Sequence, residues 1–182
     1  MSEHQIIQGC IDLDPKCQRE LVRLYSGKLY TVSRRYCGDG ALAKDALQEG
    51  LIRIFKYIGK YENQGGKFEA WMKRIVANES LRLINREKKR TTLEFENDTE
   101  PQLLPEILDQ LHEEELLNLI QSLPLGYREV FNMYVIDGYN HQEIAKILGI
   151  ESSSSRSRLS RSKKLLKQKL SIENLHICHK VS

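Results

Sequence analysis

Apolar residues recur three and four positions apart along most of this chain, and no stretch alternates with period two for long, so the pattern predicts helices throughout. Leu21, Leu24, Tyr25, Leu29, Val32 and Tyr36 make a first stripe. A second helix follows, with Asp39 placed to cap it and Leu42, Ala43, Ala46, Leu47, Leu51, Ile54, Phe55 and Ile58 on its apolar side. The stretch from Asn63 to Gly66 breaks the chain, and a third helix carries Phe68, Trp71, Met72, Ile75 and Val76. Three helices of that length can enclose a small core. In the second half, Leu116, Leu119, Ile120 and Leu123 predict a helix stopped by Pro124 and Gly126. Val130, Phe131, Tyr134 and Val135 predict the next, ended by Gly138.

The strongest local signal comes after that glycine. Asn140, followed three positions later by Glu143, fits a reciprocal N-cap with Asn in the cap place, and Ile144, Ala145, Ile147 and Leu148 give the helix a buried side. Gly149 can take the left-handed conformation at its end, with Ile150 anchoring the turn. A second helix starts near Ser152 or Ser153 and sets Ser155, Leu159, Ser162 and Leu166 on its inner side, where each serine hydroxyl must find a partner. Its outer side presents Ser153, Arg156, Ser157, Ser160, Arg161 and Lys164, donors suited to a DNA major groove about 12 Å wide. Arg156 and Arg161 can each donate two parallel bonds to guanine, and the free N–H groups from Ser152 to Ser154 can hold a phosphate. Arg158, Lys163 and Lys167 are assigned to positioning the DNA backbone. The run Ser152–Ser155 could also be read as a linker, but its place at the start of a basic helix favours a cap and first turn.

Charge divides the chain more than it characterises it. Lys and Arg outnumber Asp and Glu by 28 to 25 over 182 residues, a net charge of +3 that alone says little about a partner. Thr91 to Gly126 contains no Lys or Arg, while the flanking stretches 73–90 and 156–169 are strongly basic. Two basic surfaces across an acidic segment interrupted by Pro101 and Pro105 suggest two modules and a loose connection. A solvated basic helix is the plain alternative for either surface taken singly.

With 40% hydrophobic residues and no apolar run of about 20, the chain has no stretch that reads as a membrane span. Its first residues show no secretory signal, so a cytoplasmic location is expected. The four cysteines form neither a disulfide framework nor a zinc ribbon, and the tail His176, Cys178 and His179 is too short for a zinc site. No nucleophile and base or metal set is visible, so neither catalysis nor a cofactor is expected.

In the first module, Asp45, Gln48, Glu49, Ile52 and Lys56 lie three or four apart and can form one exposed face with an aliphatic centre, able to dock onto a protein or simply to face water. Tyr57, Tyr61, Phe68 and Trp71 surround a glycine-containing loop before a basic helix, a combination that can hold unstacked bases. Trp71 is read as core rather than as a stacking surface.

From these segments the chain resembles a bacterial RNA polymerase sigma factor of the sigma-70 family, extracytoplasmic-function (ECF) class, over roughly residues 15 to 170. The resemblance rests on DALQEGLIRIF from Asp45, on FEAWMKRIVANESLRLINREKK from Phe68, and on SLPLGYREVFNMYVIDGYNHQEIAKILGI with the serine-rich helix behind it. It implies an all-α fold of two small helical domains joined by an acidic linker, the C-terminal one a helix-turn-helix four-helix domain. The boundaries are 1–90 for a region 2 type domain, 91–112 for the linker, 113–172 for a region 4 type domain and 173–182 for a tail.

The resemblance further implies that Asp45, Gln48, Glu49, Ile52 and Phe55 meet the clamp of the largest subunit of core RNA polymerase. The loop from Tyr61 through Asn63 to Lys67 would capture a flipped base, and Lys73, Arg74, Asn78 and Arg82 would hold minus-ten DNA as a single strand. Ser153, Ser154, Arg156, Ser157, Ser160, Arg161 and Lys164 would read a minus-thirty-five element in duplex promoter DNA. An anti-sigma partner belongs to the same implication, and stable membrane insertion does not. Gly50 stands where the family commonly has a larger residue, and it reads as a local softening of its helix by about 0.5 to 1 kcal/mol. The competing interpretation is a helix-turn-helix regulator that binds duplex DNA without polymerase.

Overall fold

In a computed structural model the described residues are 1–38, 40–61, 67–88 and 113–180, with no account of the side chains of 113 and 171–180. Asp39, Asn63, the linker 91–112 and the side chains of the His176–His179 tail therefore lie outside the described residues. Every regular element described is helical, and the contacts divide the chain into two compact units, Met1–Leu93 and Glu94–Ser182.

The first unit begins with a helix that the apolar pattern did not reveal, α1 (Glu3–Ile11). Its start is fixed by a reciprocal cap: the Gln5 N–H donates to Ser2 Oγ at 3.2 Å, and the Ser2 N–H donates to Gln5 Oε1 at 2.8 Å. Ile6 and Cys10 turn inward from it. Helix α2 (Pro15–Cys37) starts with Asp14 accepting from the Lys16 N–H and with proline in the first turn, where no intrahelical N–H bond is lost. Gly38 closes it at φ 73, a conformation that favours glycine.

Helices α3 (Gly40–Tyr57) and α4 (Phe68–Lys88) pack on α2 and on each other, with a short 3-10 turn at Ile58–Lys60. Leu21, Leu29, Tyr36, Ile54, Phe68 and Met72 are fully buried between them. Each such side chain contributes about 1.5 to 3 kcal/mol relative to exposure. The first stripe is narrower than predicted, since Leu24 is exposed. Gly50 is not a soft spot. It is buried on α3 where α4 crosses, and a Cβ there would stand 2.7 Å from Val76 Cγ2 and 3.3 Å from Val76 Cα. The glycine is what lets the two helices approach.

The second unit contains α5 (Glu113–Gln121), α6 (Leu125–Phe131), a π-helical segment Asn132–Ile136, α7 (His141–Leu148) and α8 (Ser152–Lys180). Helix α8 continues through the stretch expected as a tail. On α5 the buried leucines are Leu117 and Leu119, with Leu116 only half-buried.

The expected stripe Val130, Phe131, Tyr134 and Val135 is only half right. Val130 and Phe131 are buried, but Tyr134 and Val135 are exposed, and Asn132 and Met133 face inward instead. The cause is the π segment, closed by the Asp137 N–H donating to Asn132 O at 2.9 Å. An i to i+5 turn holds one residue more than an α turn and so shifts the apolar phase.

Candidate nucleic-acid interface

Helices α7 and α8 are joined as the sequence signals suggested. Asn140 Oδ1 accepts from the Gln142 and Glu143 N–H groups at 2.9 and 3.0 Å, and Glu143 Oε2 accepts from the Asn140 N–H at 2.8 Å. Gly149 is left-handed at φ 66, ψ 36, and the Ile150 N–H donates to Ala145 O. Helix α8 then starts at Ser152 with Ser155, Leu159, Ser162, Leu166 and Leu170 buried.

The two inward serines find the partners that burial demands. Ser162 Oγ donates to Leu159 O at 2.6 Å, and Ser155 Oγ lies 2.9 Å from His141 Nδ1. His141 was missed in the sequence, because its partner stands fourteen positions away and no local pattern links them. Its ring stacks on Tyr134 with centroids 4.4 Å apart, and Ser152 Oγ donates to its carbonyl oxygen. Burial, then the nearby cations Arg156 and Lys163, push its pKa below the ordinary value for imidazole. The neutral ring is thus the joint between α7 and the first turns of α8.

On the outer side, Ser153 and Arg156 are exposed, and Ser154, Ser157, Ser160, Arg161 and Lys164 are half-buried. Ser153 Oγ donates to Glu151 Oε2 and Ser157 Oγ donates to Ser154 O, both at 3.0 Å, so these hydroxyls offer lone pairs more readily than protons. Arg158 is half-buried. Its guanidinium lies against Gly126 of α6, where an added Cβ would stand 3.3 Å from Nη1.

In the first unit, Asp45, Gln48 and Ile52 are exposed on α3, Ile52 at 55%, with Glu49 and Phe55 half-buried beside them. An exposed isoleucine amid polar groups is the composition of a protein-docking face. On α4, Arg74, Asn78 and Arg82 are exposed at intervals of four and share one side, and Lys67 is exposed just before the helix. Lys73 instead donates to Glu69 Oε1 at 2.7 Å, and Lys28 pairs with the same carboxylate at 2.6 Å. Hydrogen bonds from Lys28 and Lys73 hold Glu69 below the usual carboxylate range.

Arg82 is also engaged. Its Nε donates to Glu79 Oε2 at 2.7 Å, and its Nη2 lies 3.6 Å from Glu49 Oε2. Glu79 is only 4% exposed and takes a second bond at 2.5 Å from Arg53 Nε of α3. The three-residue spacing to Arg82 was legible in the sequence, but the reach of Arg53 across to α4 was not.

The aromatic group at the start of α4 is a packed cluster. Tyr61, Phe68 and Trp71 have ring centroids 5.0 to 5.6 Å apart, with Phe68 buried and the other two half-buried. Trp71 is therefore neither fully core nor an open stacking surface. Among the described residues no group of three or more His, Cys, Asp or Glu is placed to hold a metal ion. Cys10, Cys17 and Cys37 are free buried thiols. Among those residues no helix is long and apolar enough to cross a membrane.

A family model described as Sigma-70 region 2 matches residues 21–90, and one described as Sigma-70, region 4 matches residues 113–166. The ECF RNA polymerase sigma factor SigW of Bacillus subtilis is 30% identical over 166 residues, which cover 83% of this chain and 87% of that protein. SigM of the same organism is 26% identical, covering 81% and 91%. SigE of Mycolicibacterium smegmatis is 30% identical over 83% of this chain, and the match spans 60% of that relative's length. The sigma factor RpoE of Bartonella quintana, solved with the anti-sigma factor NepR, shares the fold with a TM-score of 0.53 at 18% identity, over 85% of this chain and 96% of that one.

CnrH, solved with the cytosolic domain of CnrY, is similar at a TM-score of 0.49 and 18% identity, over 92% and 96% of the two chains. The cytoplasmic location expected from the sequence is withdrawn on the RpoE structure, in which a chain of this fold is solved with an anti-sigma partner.

Proposed function

Because the chain belongs to the ECF class of sigma-70 family RNA polymerase sigma factors, we propose that it binds core RNA polymerase through α3 and directs initiation at promoters with minus-thirty-five and minus-ten elements. As a sigma factor it is not an enzyme. The observation that carries the assignment of roles is the α7–α8 arrangement: a capped helix, a left-handed glycine, then a basic helix with Arg156 exposed.

In this reading residues 113–172 are a helix-turn-helix domain, with α8 in the major groove. Arg156 and Arg161 read bases, and Ser153, Ser154, Ser157, Ser160 and Lys164 contact base edges and phosphates. Residues 1–90 form the polymerase-binding and minus-ten domain, and 91–112 the linker. Asp45, Gln48, Glu49, Ile52 and Phe55 meet the polymerase clamp. Tyr61, Asn63 and Lys67 meet the flipped base, and Lys73, Arg74, Asn78 and Arg82 meet the opened strand.

Each domain binds its element weakly. Attachment to polymerase fixes their separation and raises the effective concentration of the second contact once the first is made. Preferential binding of the unpaired strand selects the melted promoter, so initiation needs no chemistry from this chain. An anti-sigma protein covering these surfaces would block both steps.

The test joins the purified chain with core polymerase and a randomised promoter library, and sequences the transcribed templates. The expected result is chain-dependent transcripts enriched in two motifs at fixed spacing. Folded chain and active core with no such enrichment, or tight binding to palindromic duplex without polymerase, would favour an ordinary helix-turn-helix regulator.

A further inference from the structure

The polymerase-facing and strand-facing sides of the first unit meet at one guanidinium. Arg82 on α4 belongs to the strand-facing side, and Glu49 on α3 belongs to the polymerase-facing side. Glu79 fixes the geometry between them. Buried and bonded to Arg53 Nε at 2.5 Å, it accepts from Arg82 Nε at 2.7 Å and so sets the plane of the Arg82 group. That plane brings Arg82 Nη2 to 3.6 Å from Glu49 Oε2. The side chains of Arg82 and Glu49 are 46% and 47% exposed, so both remain open to a competitor.

We propose that Glu49 is a positioning residue that occupies the outer edge of Arg82 in the free chain and yields it to a DNA phosphate when polymerase captures Glu49. The inference rests on the reading above, in which α3 meets polymerase and α4 meets the opened strand. Chemistry specifies the polymerase group: a cation, Arg or Lys, that offers the Glu49 carboxylate a closer partner than the one at 3.6 Å. Glu79 keeps Arg82 in place throughout, so the guanidinium changes partner without changing position. A half-exposed pair at this distance biases its site by at most about five-fold, which suits a gate that polymerase must open.

The experiment measures binding of a fluorescent non-template single strand, taken from a promoter the chain selects, by anisotropy at low salt. The full chain is compared with and without core polymerase, as wild type, Glu49→Gln, Arg82→Gln and the double variant. Without polymerase, Glu49→Gln tightens strand binding about two- to five-fold, and this gain vanishes in the Arg82→Gln background. With polymerase bound at saturation, the gain is absent.

A gain of affinity is something a merely damaged fold cannot produce. A gain that persists in the Arg82→Gln background reflects general loss of negative charge and overturns the proposal, as does an equal gain with and without polymerase. If Arg82→Gln weakens the strand complex with polymerase while Glu49→Gln leaves the free chain unchanged, the gate is wrong and the sigma-factor reading stands. If the wild-type chain fails to bind core at all, that reading fails with it.

Discussion

Gly50→Ala decides between two accounts of the same residue. If the glycine merely softens α3, alanine stabilises the first unit by about 1 kcal/mol, the helix-propensity difference. The structure says otherwise, because the new methyl would stand 2.7 Å from Val76 Cγ2 and 3.3 Å from Val76 Cα. The first contact can be relieved only by turning a fully buried valine, and the second is backbone. Overpacking of this kind costs about 1 to 3 kcal/mol. Set against the propensity gain, Gly50→Ala should destabilise the unit by about 0 to 2 kcal/mol.

Val76→Ala removes Cγ2 and is itself destabilising, by about 1.5 to 3 kcal/mol of lost burial. In that background Gly50→Ala should become neutral or stabilising, a coupling of about 1 to 3 kcal/mol. The assay is thermal or urea unfolding followed by the fluorescence of Trp71, the one tryptophan in the chain, which sits in this unit and does not report the other. A shift of about 4 to 8 °C corresponds to each kcal/mol in a unit of this size. Equal stabilisation by Gly50→Ala in both backgrounds would refute the close-approach argument.

Other outcomes follow from the second unit. Arg156→Ala should relax discrimination at one promoter position by about 1 to 3 kcal/mol, whereas Lys164→Ala should weaken all sequences alike and lower the salt slope by about 1. Titration of variant promoters over a salt series separates the two. Asn140→Ala removes both cap bonds of α7 and should cost about 0.5 to 2 kcal/mol, read by circular dichroism, with Asn140→Asp retaining most of it. His141 gives a pH signature with a definite sign. Its pKa is depressed in the fold, so the unfolded chain binds the proton first as pH falls. The stability contribution is complete above the ordinary imidazole value of 6.5 and is lost as pH falls from there through the depressed value. Unfolding of the second unit should show this loss in wild type and not in His141→Gln, and an unchanged acid limb in the variant would remove His141 from the account.

Features that depend on neighbours in the chain were legible, and features that depend on tertiary approach were not. Asn140, Glu143 and Gly149 interact within a few residues of themselves, and Ser155, Leu159, Ser162 and Leu166 recur at helical spacing, so spacing alone located them. Helix α1 was legible in principle, through Ser2 and Gln5, but its apolar stripe is too short to attract notice. The π segment defeats any fixed-period search, since one inserted residue exchanges Tyr134 and Val135 for Asn132 and Met133 in the core. Gly50 was misread because what decides it, Val76, lies on another helix. The candidate surfaces were found as lists of residue types, but which cations are already engaged could be read only from the folded chain.

That last difference separates how the two units can hold DNA. On α4, Lys73 is met by Glu69 and Arg82 by Glu79 and Glu49. A phosphate arriving there exchanges with a carboxylate, so the net electrostatic gain is small. Between Arg156 and Lys169 on α8 the sequence contains no acid, so no carboxylate of the stretch itself competes with a phosphate there, and counterion release would contribute to binding. In the proposed function the second unit should therefore show a steep salt dependence on duplex. In the same proposal the first unit, where Lys73 and Arg82 are already met by carboxylates, gains its affinity from contacts to unpaired bases, which exist only after melting, and from delivery by polymerase at high effective concentration. The carboxylates already seated on Lys73 and Arg82 thus favour the order of events that the proposed function needs: duplex engaged first, the opened strand held second.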